Sequence, residues 1–413
     1  MTRFAKTIAG SLLASALIAS SPACAADATD WNAFVDALKP AADAIDKEVY
    51  QPDDPQNRED AHTILLGELA RGYLQHSQAD ADYPELIPTY NSGFNIAAPN
   101  PDYVYFGTPL AGDGVYRLRG RVGTNRFTFF QFTGRTEEGA KMASAVMGGF
   151  ALSDLQAAPD STFELILSAE RPQGYAGNWR KLEPRTIGMF MRAASYDWLN
   201  ERDPVVGIER LDRPARRARP TAEAAAKKRM ALAEFVKTDS VIWWKHMADL
   251  QKRGLWNKIG IEPWGTFPGQ VYLEGLYRLK DDEALILETE VPKNCRYWSF
   301  LVGDMQFRTI NWVDNQSSLN GFQAKLDGDG KFRAVIAKRD PGVPNWLDTG
   351  DYSEGVIQGR WNVCDSEPVP TAKLVKLKDL RKHLPKDTTT VTAEQRDQQL
   401  RERRLGAQMR RKW

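Results

Sequence analysis

Apolar residues at helical spacing predict two helices near the start of the chain. One run extends from Trp31 to Val49, although Pro40 within it should break or kink a helix. A second run extends from about Arg58 to Gln75. We therefore expect an N-terminal helical segment ahead of the rest of the fold.

The pattern then changes to short segments of aromatic and β-branched residues, each bounded by Gly, Asp, Asn or Pro. A first group lies within residues 103–167 and a second within residues 270–337, with one or two helices predicted between them in residues 221–255. In the second group, Phe322–Leu326 is predicted as a strand and Asp327–Gly330 as a hairpin turn. So few intervening helices favour antiparallel sandwiches over a doubly wound parallel sheet.

The first residues of the chain predict an export signal. Arg3 and Lys6 precede an apolar run over residues 8–19 that is too short to span a bilayer as a mature helix. Small residues then suit cleavage, so residues 1–25 are predicted to be removed and the protein to be periplasmic or secreted. A lipoprotein anchored through Cys24 is the alternative, but that position normally follows a Leu by three residues, and this chain has Ser there.

Removal of that segment leaves two cysteines, Cys295 and Cys364, each near the end of a predicted strand. An exported protein meets oxidising conditions, so a disulfide between them is plausible. Two buried free thiols are the alternative, since the sequence does not show that the two residues approach each other.

The net charge of +1 is unevenly distributed along the chain. Residues 373–413 contain 13 Lys and Arg against 5 Asp and Glu, a net +8, so the preceding residues carry −7. Thr392 and Gln395 predict a capping box that starts a helix of about four turns. The basic tail is expected either to contact an anionic membrane surface or another subunit, or to be a solvated terminus. Nucleic acid is a poor partner for an exported protein with an acidic body.

The stretch from Arg339 to Gly350 holds two prolines, two glycines, two Asp, an Asn and a Trp among twelve residues. Neither a helix nor a strand uses that mixture, so a loop is predicted. The prolines stiffen the backbone and hold Asn345, Trp346 and Asp348 at little entropic cost. Those side chains offer donors, acceptors, a flat apolar face and a charge to a ring-containing or hydroxylated small molecule.

Two interpretations of this loop stay open. In the first, Asn345, Trp346 and Arg360 bind a ligand, and Asp340 and Asp348 serve as acid and base in a metal-free reaction. In the second, the two Asp residues cap turns, Trp346 plugs one end of a sandwich, and Arg360 pairs with one of the Asp residues.

Several segments together carry a resemblance to a known family. They are Asp282–Glu290, Arg296–Phe300, Ser318–Asn320, Asp327–Gly330, Asp340–Thr349 and Arg360–Trp361. In order and spacing, residues 260–365 resemble the domain-of-unknown-function family numbered 1214. The region around Asn100–Tyr105 and Tyr116–Gly120 is similar to its companion domain, numbered 1254. The resemblance implies an exported protein of two jelly-roll-like sandwiches, without an agreed activity.

The predicted fold class is therefore mainly β with helical additions (α+β): two antiparallel jelly-roll-like sandwiches with N-terminal helices and a helical insertion. The predicted divisions are residues 1–25 (signal peptide), 27–95 (helical segment), 96–212 (first sandwich), 213–260 (linker and insertion), 261–368 (second sandwich) and 369–413 (basic tail).

A second cluster of candidate ligand contacts lies at the start of the first strand group. Asn100 and Asp102 flank Pro101 in a turn signal, and Tyr103 and Tyr105 follow in the strand. These residues are either turn formers or ligand contacts. A site is expected if this cluster and the proline loop converge in space.

Several chemistries are disfavoured. There is no Gly-x-Ser-x-Gly elbow and no phosphate-binding glycine loop, and His62, His76, His246 and His383 are too widely spaced for a His-based zinc site. We therefore expect neither metal nor cofactor. If the protein is an enzyme, it is predicted to be a metal-independent lyase or hydrolase.

Three functions remain open. The first is an exported protein that binds or processes a small molecule, expected to show a deep, closed pocket. The second is a carbohydrate-binding sandwich without catalysis, expected to show an open groove with exposed Trp. The third is a structural or interaction protein of the envelope, expected to show no pocket but a wide apolar patch.

Overall fold

The structure is a computed structural model that describes residues 30–78, 80–136, 145–265 and 267–410. The predicted signal peptide lies outside the described residues. Within those ranges, no helix combines the length and apolar character that crossing a bilayer requires.

The described residues form four α-helices, and each of these has a capped N-terminus. They are α1 (Trp31–Glu48), α2 (Pro55–Tyr73), α3 (Ala222–Lys252) and α4 (Ala393–Met409), with a π-helical segment at Leu74–Gln78 and 3₁₀ segments at Leu152–Asp154 and Leu377–His383. The side chains of Asp30, Asp54, Thr221 and Thr392 accept the first free amides of these helices. Helix α1 continues through Pro40, where we expected a break, because its buried face packs against α3.

The first β unit comprises two sheets. One has the order β1-β2-β8-β4-β5 and the other β7-β6-β3-β9. The strands are β1 (Ile87–Tyr90), β2 (Tyr103–Pro109), β3 (Tyr116–Arg121), β4 (Phe127–Gly134), β5 (Ala145–Ala151), β6 (Thr162–Ser168), β7 (Asn178–Lys181), β8 (Thr186–Ala194) and β9 (Val205–Arg210).

The second β unit repeats this arrangement. Its sheets have the orders β10-β11-β17-β13-β14 and β16-β15-β12-β18. The strands are β10 (Lys258–Glu262), β11 (Gln270–Arg278), β12 (Glu283–Thr289), β13 (Cys295–Gly303), β14 (Ser318–Asn320), β15 (Phe332–Ala337), β16 (Trp346–Asp348), β17 (Glu354–Cys364) and β18 (Thr371–Lys376).

Each unit is a sandwich with its own core. In the first, Phe106 and Met191 from one sheet pack in the same core as Leu118 and Leu165 from the other. Among the named strands, only the pairs β6–β7 and β15–β16 are parallel. The predicted sandwich-like α+β class is thus confirmed.

One predicted strand is wrong. Phe322 and Gln323 lie in a turn, because the Asn320 side-chain oxygen accepts their amides at 3.0 Å each and bends the chain. Only Leu326 pairs, in an isolated bridge with Phe332. The Asp327–Gly330 turn is present, since the Gly330 amide donates to the Asp327 carbonyl at 2.8 Å.

A disulfide joins Cys295 and Cys364. The two residues face each other in the antiparallel register of β13 and β17. The sequence left this disulfide open, and the structure forms it between neighbouring strands of one sheet.

The basic tail folds onto both sandwiches. The capping box of Thr392 and Gln395 is confirmed, and α4 follows it. Arginines recur every seven residues on one face of this segment: Arg396 bonds to Asp340 at 2.9 Å, Arg403 bonds to the Trp312 carbonyl at 2.8 Å, and Arg410 bonds to Asp203 at 3.0 Å.

We predict that Arg410→Ala lowers the free energy of unfolding by about 3–5 kcal/mol, because it leaves the buried Asp203 carboxylate without its partner. Urea denaturation of the full chain measures this loss. Arg401→Ala, which removes an exposed arginine of the same helix, is the matched control and is expected to change stability little. Equal effects of the two substitutions would contradict the anchoring role of Arg410.

Candidate functional site

The outer faces of the two sandwiches meet at a partly open cavity. On β2, Val104 and Phe106 point into the core of the first sandwich. The alternate residues, Tyr103 and Tyr105, point outward and line the cavity. Strand β8 follows the same rule, with Arg192 on the outward face.

Strand β17 supplies the opposite wall. Ile357 and Trp361 lie in the core of the second sandwich, whereas Gln358 and Arg360 line the cavity. Tyr272 of β11 lies directly opposite Arg360 in the ladder and also lines it. Both faces of β17 are buried, but only the face toward the core of the second sandwich is apolar.

The cavity has a volume of about 550 Å³ and a largely aromatic wall. Helix α3 and the loops that precede β2 and β11 complete its lining. The aromatic residues that line it are Tyr90, Tyr103, Tyr105, Phe190, Phe235, Trp243, Trp264, Tyr272 and Phe307.

Five buried polar atoms on the cavity wall have no hydrogen-bond partner among the described residues. They are His76 Nε2, Thr89 Oγ1, Trp243 Nε1, Gln358 Oε1 and Arg360 Nη1. Buried polar atoms in proteins are nearly always paired, and each unpaired one costs on the order of 1–3 kcal/mol. Other unpaired buried atoms, such as Trp244 Nε1, lie elsewhere in the described chain, but these five share one cavity.

Arg360 is the most buried charge on the wall, with 4% of its surface exposed. Its Nη2 donates to the Ala98 carbonyl at 3.2 Å, and its guanidinium lies 5.5 Å from the Tyr272 ring centroid. No carboxylate of the described chain lies within ion-pair distance of it. We had considered a structural ion pair with Asp340 or Asp348, and neither forms one.

The backbone that receives Arg360 is strained. Ala97, Ala98 and Phe307 all line the cavity, and their φ angles are 67°, 42° and 62°. Non-glycine residues seldom adopt this left-handed region, and such strain clusters at functional sites. The Ala98 amide donates to the Phe307 carbonyl at 2.8 Å, so the strained segments support each other.

A second arginine, Arg192, lies on the wall contributed by the first sandwich. Its Nη1 donates to Gln131 Oε1 at 2.7 Å, and its guanidinium stacks 4.5 Å from the Phe190 ring centroid. No ion pair involving Arg192 is found in the described ranges. Two cations thus face the cavity without carboxylate partners.

A buried acidic cluster lies behind Gln358. The Glu274 carboxylate is fully buried and accepts from Gln358 Nε2 at 2.6 Å and Trp264 Nε1 at 3.0 Å, and its other oxygen lies 2.6 Å from His246 Nε2. Burial raises the pKa of Glu274, but these hydrogen bonds and the His246 charge outweigh burial, and the net shift is downward. The ionised carboxylate therefore orients Gln358 and Trp264 toward the cavity.

Asn100 and Asp102 join the two sandwiches rather than lining the cavity. Asn100 Nδ2 donates to the Tyr297 hydroxyl at 2.7 Å. Asp102 accepts from the Tyr297 hydroxyl at 2.5 Å, from Asn320 Nδ2 at 2.7 Å and from Trp198 Nε1 at 2.8 Å. Burial raises the pKa of Asp102, although these three donors oppose the shift.

The predicted proline loop is not a loop throughout, because Trp346–Asp348 forms strand β16 beside β15. It lies away from this cavity, and its polar groups bind the backbone. Asn345 accepts from the Lys325 amide at 2.8 Å and donates to the carbonyls of Lys325 and Arg333 at 2.6 and 2.8 Å. Trp346 Nε1 donates to the Ala337 carbonyl at 2.9 Å. Val343, Pro344 and Asn345 form part of a separate cleft of about 820 Å³ beside the C-terminal segment.

The two candidate catalytic carboxylates both cap turns. Asp340 accepts the Gly342 amide at 2.8 Å and pairs with Arg396. Asp348 accepts the Gly350 amide at 2.8 Å and Asn315 Nδ2 at 2.9 Å. Burial raises the pKa of Asp348. Neither residue lines the cavity between the sandwiches.

The structure therefore brings Tyr103, Tyr105 and Arg360 together from the two predicted clusters, and leaves Asn345, Trp346, Asp340 and Asp348 elsewhere. Sequence reasoning missed Arg192 and Gln358 as wall residues. The alternation of polar and apolar residues along 357–361 was the available signal.

No cluster of three or more His, Cys, Asp or Glu side chains suited to a metal ion occurs within the described parts of the chain. The cavity wall itself offers amide, phenol, indole, imidazole and guanidinium groups. Its polar groups are therefore suited to hydrogen bonding and to anions.

Comparison with known proteins supports the family resemblance over part of the chain. Residues 278–357 match a family described as "Protein of unknown function (DUF1214)". The predicted resemblance is confirmed over that segment, whereas the resemblance of the N-terminal part to the companion domain stays a prediction. No curated protein sequence matches the chain.

Two solved structures resemble this chain to different degrees. An uncharacterised protein from Burkholderia cenocepacia is 27% identical, with a TM-score of 0.77, over 84% of this chain and 97% of its own. A protein from Vibrio parahaemolyticus is 11% identical, with a TM-score of 0.44, over 82% of this chain and 100% of its own.

We predict that Asn345→Ala lowers the free energy of unfolding by about 2–4 kcal/mol, because three hydrogen bonds to the backbone are lost. Chemical denaturation measures this. Asn200→Ala, at an exposed asparagine, is the control and is expected to cost less. Unchanged stability in Asn345→Ala would argue against a structural role for this side chain.

Proposed function

We propose that the protein binds a small molecule in the cavity between its two sandwiches. The observation that carries the proposal is the set of five unpaired polar atoms on a wall that is otherwise largely aromatic. A ligand with both a ring or apolar body and a few polar groups would pair those atoms and cover the aromatic faces.

The size of the cavity supports this proposal. Small-molecule sites usually occupy about 300–1,000 Å³ and combine apolar walls with a few well-placed polar groups. At about 550 Å³, the cavity has room for a ring-containing or hydroxylated molecule. Asp340 and Asp348 do not line it, so we do not extend the proposal to acid–base chemistry by that pair.

The two alternative functions have less support. A carbohydrate-binding surface would present exposed aromatic platforms, and Trp31, 65% exposed, is the only largely exposed tryptophan of the described chain. An envelope contact through the basic tail would need available cations; Arg396, Arg403 and Arg410 are engaged within the chain, which leaves exposed lysines such as Lys378 and Lys386 for that contact.

We also infer that the protein is exported. The disulfide between Cys295 and Cys364 supports this inference, since structural disulfides persist in oxidising compartments. The predicted signal segment supplies the route. The ligand would then be met outside the cytoplasm.

We predict that Thr89→Phe abolishes ligand binding, because Thr89 lines the cavity and the added ring would occupy it. The test is a thermal-shift screen of the full chain against cholate, indole-3-acetate, 4-hydroxybenzoate, decanoate and glucose. A ligand that binds only the folded state raises the melting temperature.

Thr89→Val is the matched control, since it keeps the volume and removes only the unpaired hydroxyl. It is expected to weaken binding far less than Thr89→Phe does, because it removes one polar contact without filling the cavity. Equal melting shifts in wild type and Thr89→Phe would place the binding site outside this cavity.

We predict that expression in a host with a periplasm yields a periplasmic chain starting at Ala26 or Asp27, because cleavage follows the small residues. Intact-mass measurement of fractionated cells tests this. Replacing both Arg3 and Lys6 with Glu should hold the chain in the cytoplasm. A cytoplasmic wild-type chain of unprocessed mass would contradict export.

A further inference from the structure

We infer that the ligand is a small organic acid, whose oxyanion binds Arg360 and whose apolar or aromatic body covers the tyrosine and tryptophan wall. This inference rests on the proposed function and adds the chemical class of the ligand. Its starting point is the difference between Arg360 and the other buried arginines.

Five arginines of the described chain are buried: Arg71, Arg210, Arg360, Arg396 and Arg410. Four of them pair with carboxylates. Arg71 contacts Glu68 and Asp239, Arg210 contacts Asp82 and Asp212, Arg396 contacts Asp340, and Arg410 contacts Asp203. Arg360 alone among them has no such partner, and one of its terminal nitrogens has no hydrogen bond.

A buried cation without an anion is strongly unfavourable, because desolvation is not offset by Coulomb attraction. This chain satisfies that rule at its other four buried arginines. The exception lies on the wall of a cavity, where a ligand can supply the missing charge. Strained backbone at Ala97 and Ala98 lies beside the same guanidinium.

The neighbouring groups do not supply that charge. Burial raises the pKa of Tyr105 to about 12 and that of Tyr103 well above its ordinary value, so both phenols are neutral at physiological pH. The Glu274 carboxylate is taken by Gln358, Trp264 and His246. The anion must therefore come from outside the described chain.

Arg192 extends the positive field across the cavity. Arg192 and Arg360 line the cavity from opposite walls, and the charges of both act on Tyr103 and Tyr105. Guanidinium groups bind carboxylates through directed, charge-assisted hydrogen bonds. The stacked phenyl ring of Phe190 holds Arg192 in place.

The body of the ligand follows from the rest of the lining. Tyr272, Trp243, Trp264 and Phe307 offer flat apolar faces, and uncharged polar groups such as those of Thr89 and Gln358 lie among them. A ring or short alkyl chain with one acidic group suits this lining better than a sugar with many hydroxyls or a polyphosphate. Phenylacetate, indole-3-acetate and decanoate represent the class.

The test compares each of these acids with its neutral primary amide, using calorimetry and thermal shift on the full chain. At least one acid is expected to bind at least about tenfold more tightly than its amide, as expected for loss of a hydrogen bond to a charged group. Arg360→Gln should abolish that preference, and Arg360→Lys should restore part of it. Arg401→Gln, an exposed arginine of α4, should leave it unchanged.

The outcomes separate this inference from the proposed function. Amides that bind as tightly as the acids, or an unchanged preference in Arg360→Gln, would overturn the organic-acid inference and leave a neutral ligand in the cavity. If neither acids nor amides bind, while inorganic phosphate binds in an Arg360-dependent manner, the apolar body is wrong. If none of these probes binds, both proposals fail.

A second measurement needs no ligand. Arg360→Met is expected to leave the melting temperature of the ligand-free protein unchanged or raised, because it removes an uncompensated buried charge. Arg71→Met should lower it, because Glu68 and Asp239 would lose their shared partner. A fall in Arg360→Met as large as that in Arg71→Met would show that Arg360 is structural.

Discussion

The hydrogen-bonded carboxylate of Asp102 fixes the relation of the two sandwiches, on which the cavity depends. Two of its donors, Tyr297 and Asn320, belong to the second sandwich, and the third, Trp198, belongs to the first unit. A buried carboxylate with three donors tolerates little displacement, because loss of a donor would leave its desolvation cost without a compensating hydrogen bond. The facing walls are therefore set at a fixed separation. The Arg410 anchor, which bonds to Asp203 and the Pro101 carbonyl, reinforces the same junction.

Local rules predicted much of the fold. The alternation of aromatic and β-branched residues located β2 and β15, and the Thr392 capping box located the start of α4. Short-range signals of this kind depend only on neighbouring residues. These rules could not predict how the two sandwiches pack against each other. That packing depends on contacts between residues far apart in the sequence, such as Asn100 and Tyr297, which are 197 positions apart. A strand that ends near Cys364 was predicted, but burial of both faces of β17 was not, because its polar residues face the cavity and not solvent.

The candidate site shows a sharper limit of sequence reasoning. The sequence predicted a site at the proline loop because Asn345 and Asp348 have a large hydrogen-bonding capacity. In the fold, both side chains accept hydrogen bonds from the backbone. The sequence predicted Arg360 as a ligand contact. The reason to assign it that role is structural, since no carboxylate of the described chain pairs with it. The absence of a partner is a property of three-dimensional packing, and no spacing pattern encodes it. Gln358 and Arg192 share this property, since their roles follow from the cavity that they face.

The distribution of charge explains why the fold can tolerate the unpaired Arg360 on the cavity wall. Buried arginines elsewhere are paired, so the stabilising contacts lie in the α4 anchor and in the ion pairs of Arg71 and Arg210. Five unpaired polar atoms, three strained φ angles and an uncompensated cation instead line the one cavity. Local instability of this kind is converted into binding free energy when a ligand supplies the missing partners. The rigid junction at Asp102 prevents the cavity walls from relaxing. The unpaired groups therefore stay unpaired until a ligand binds.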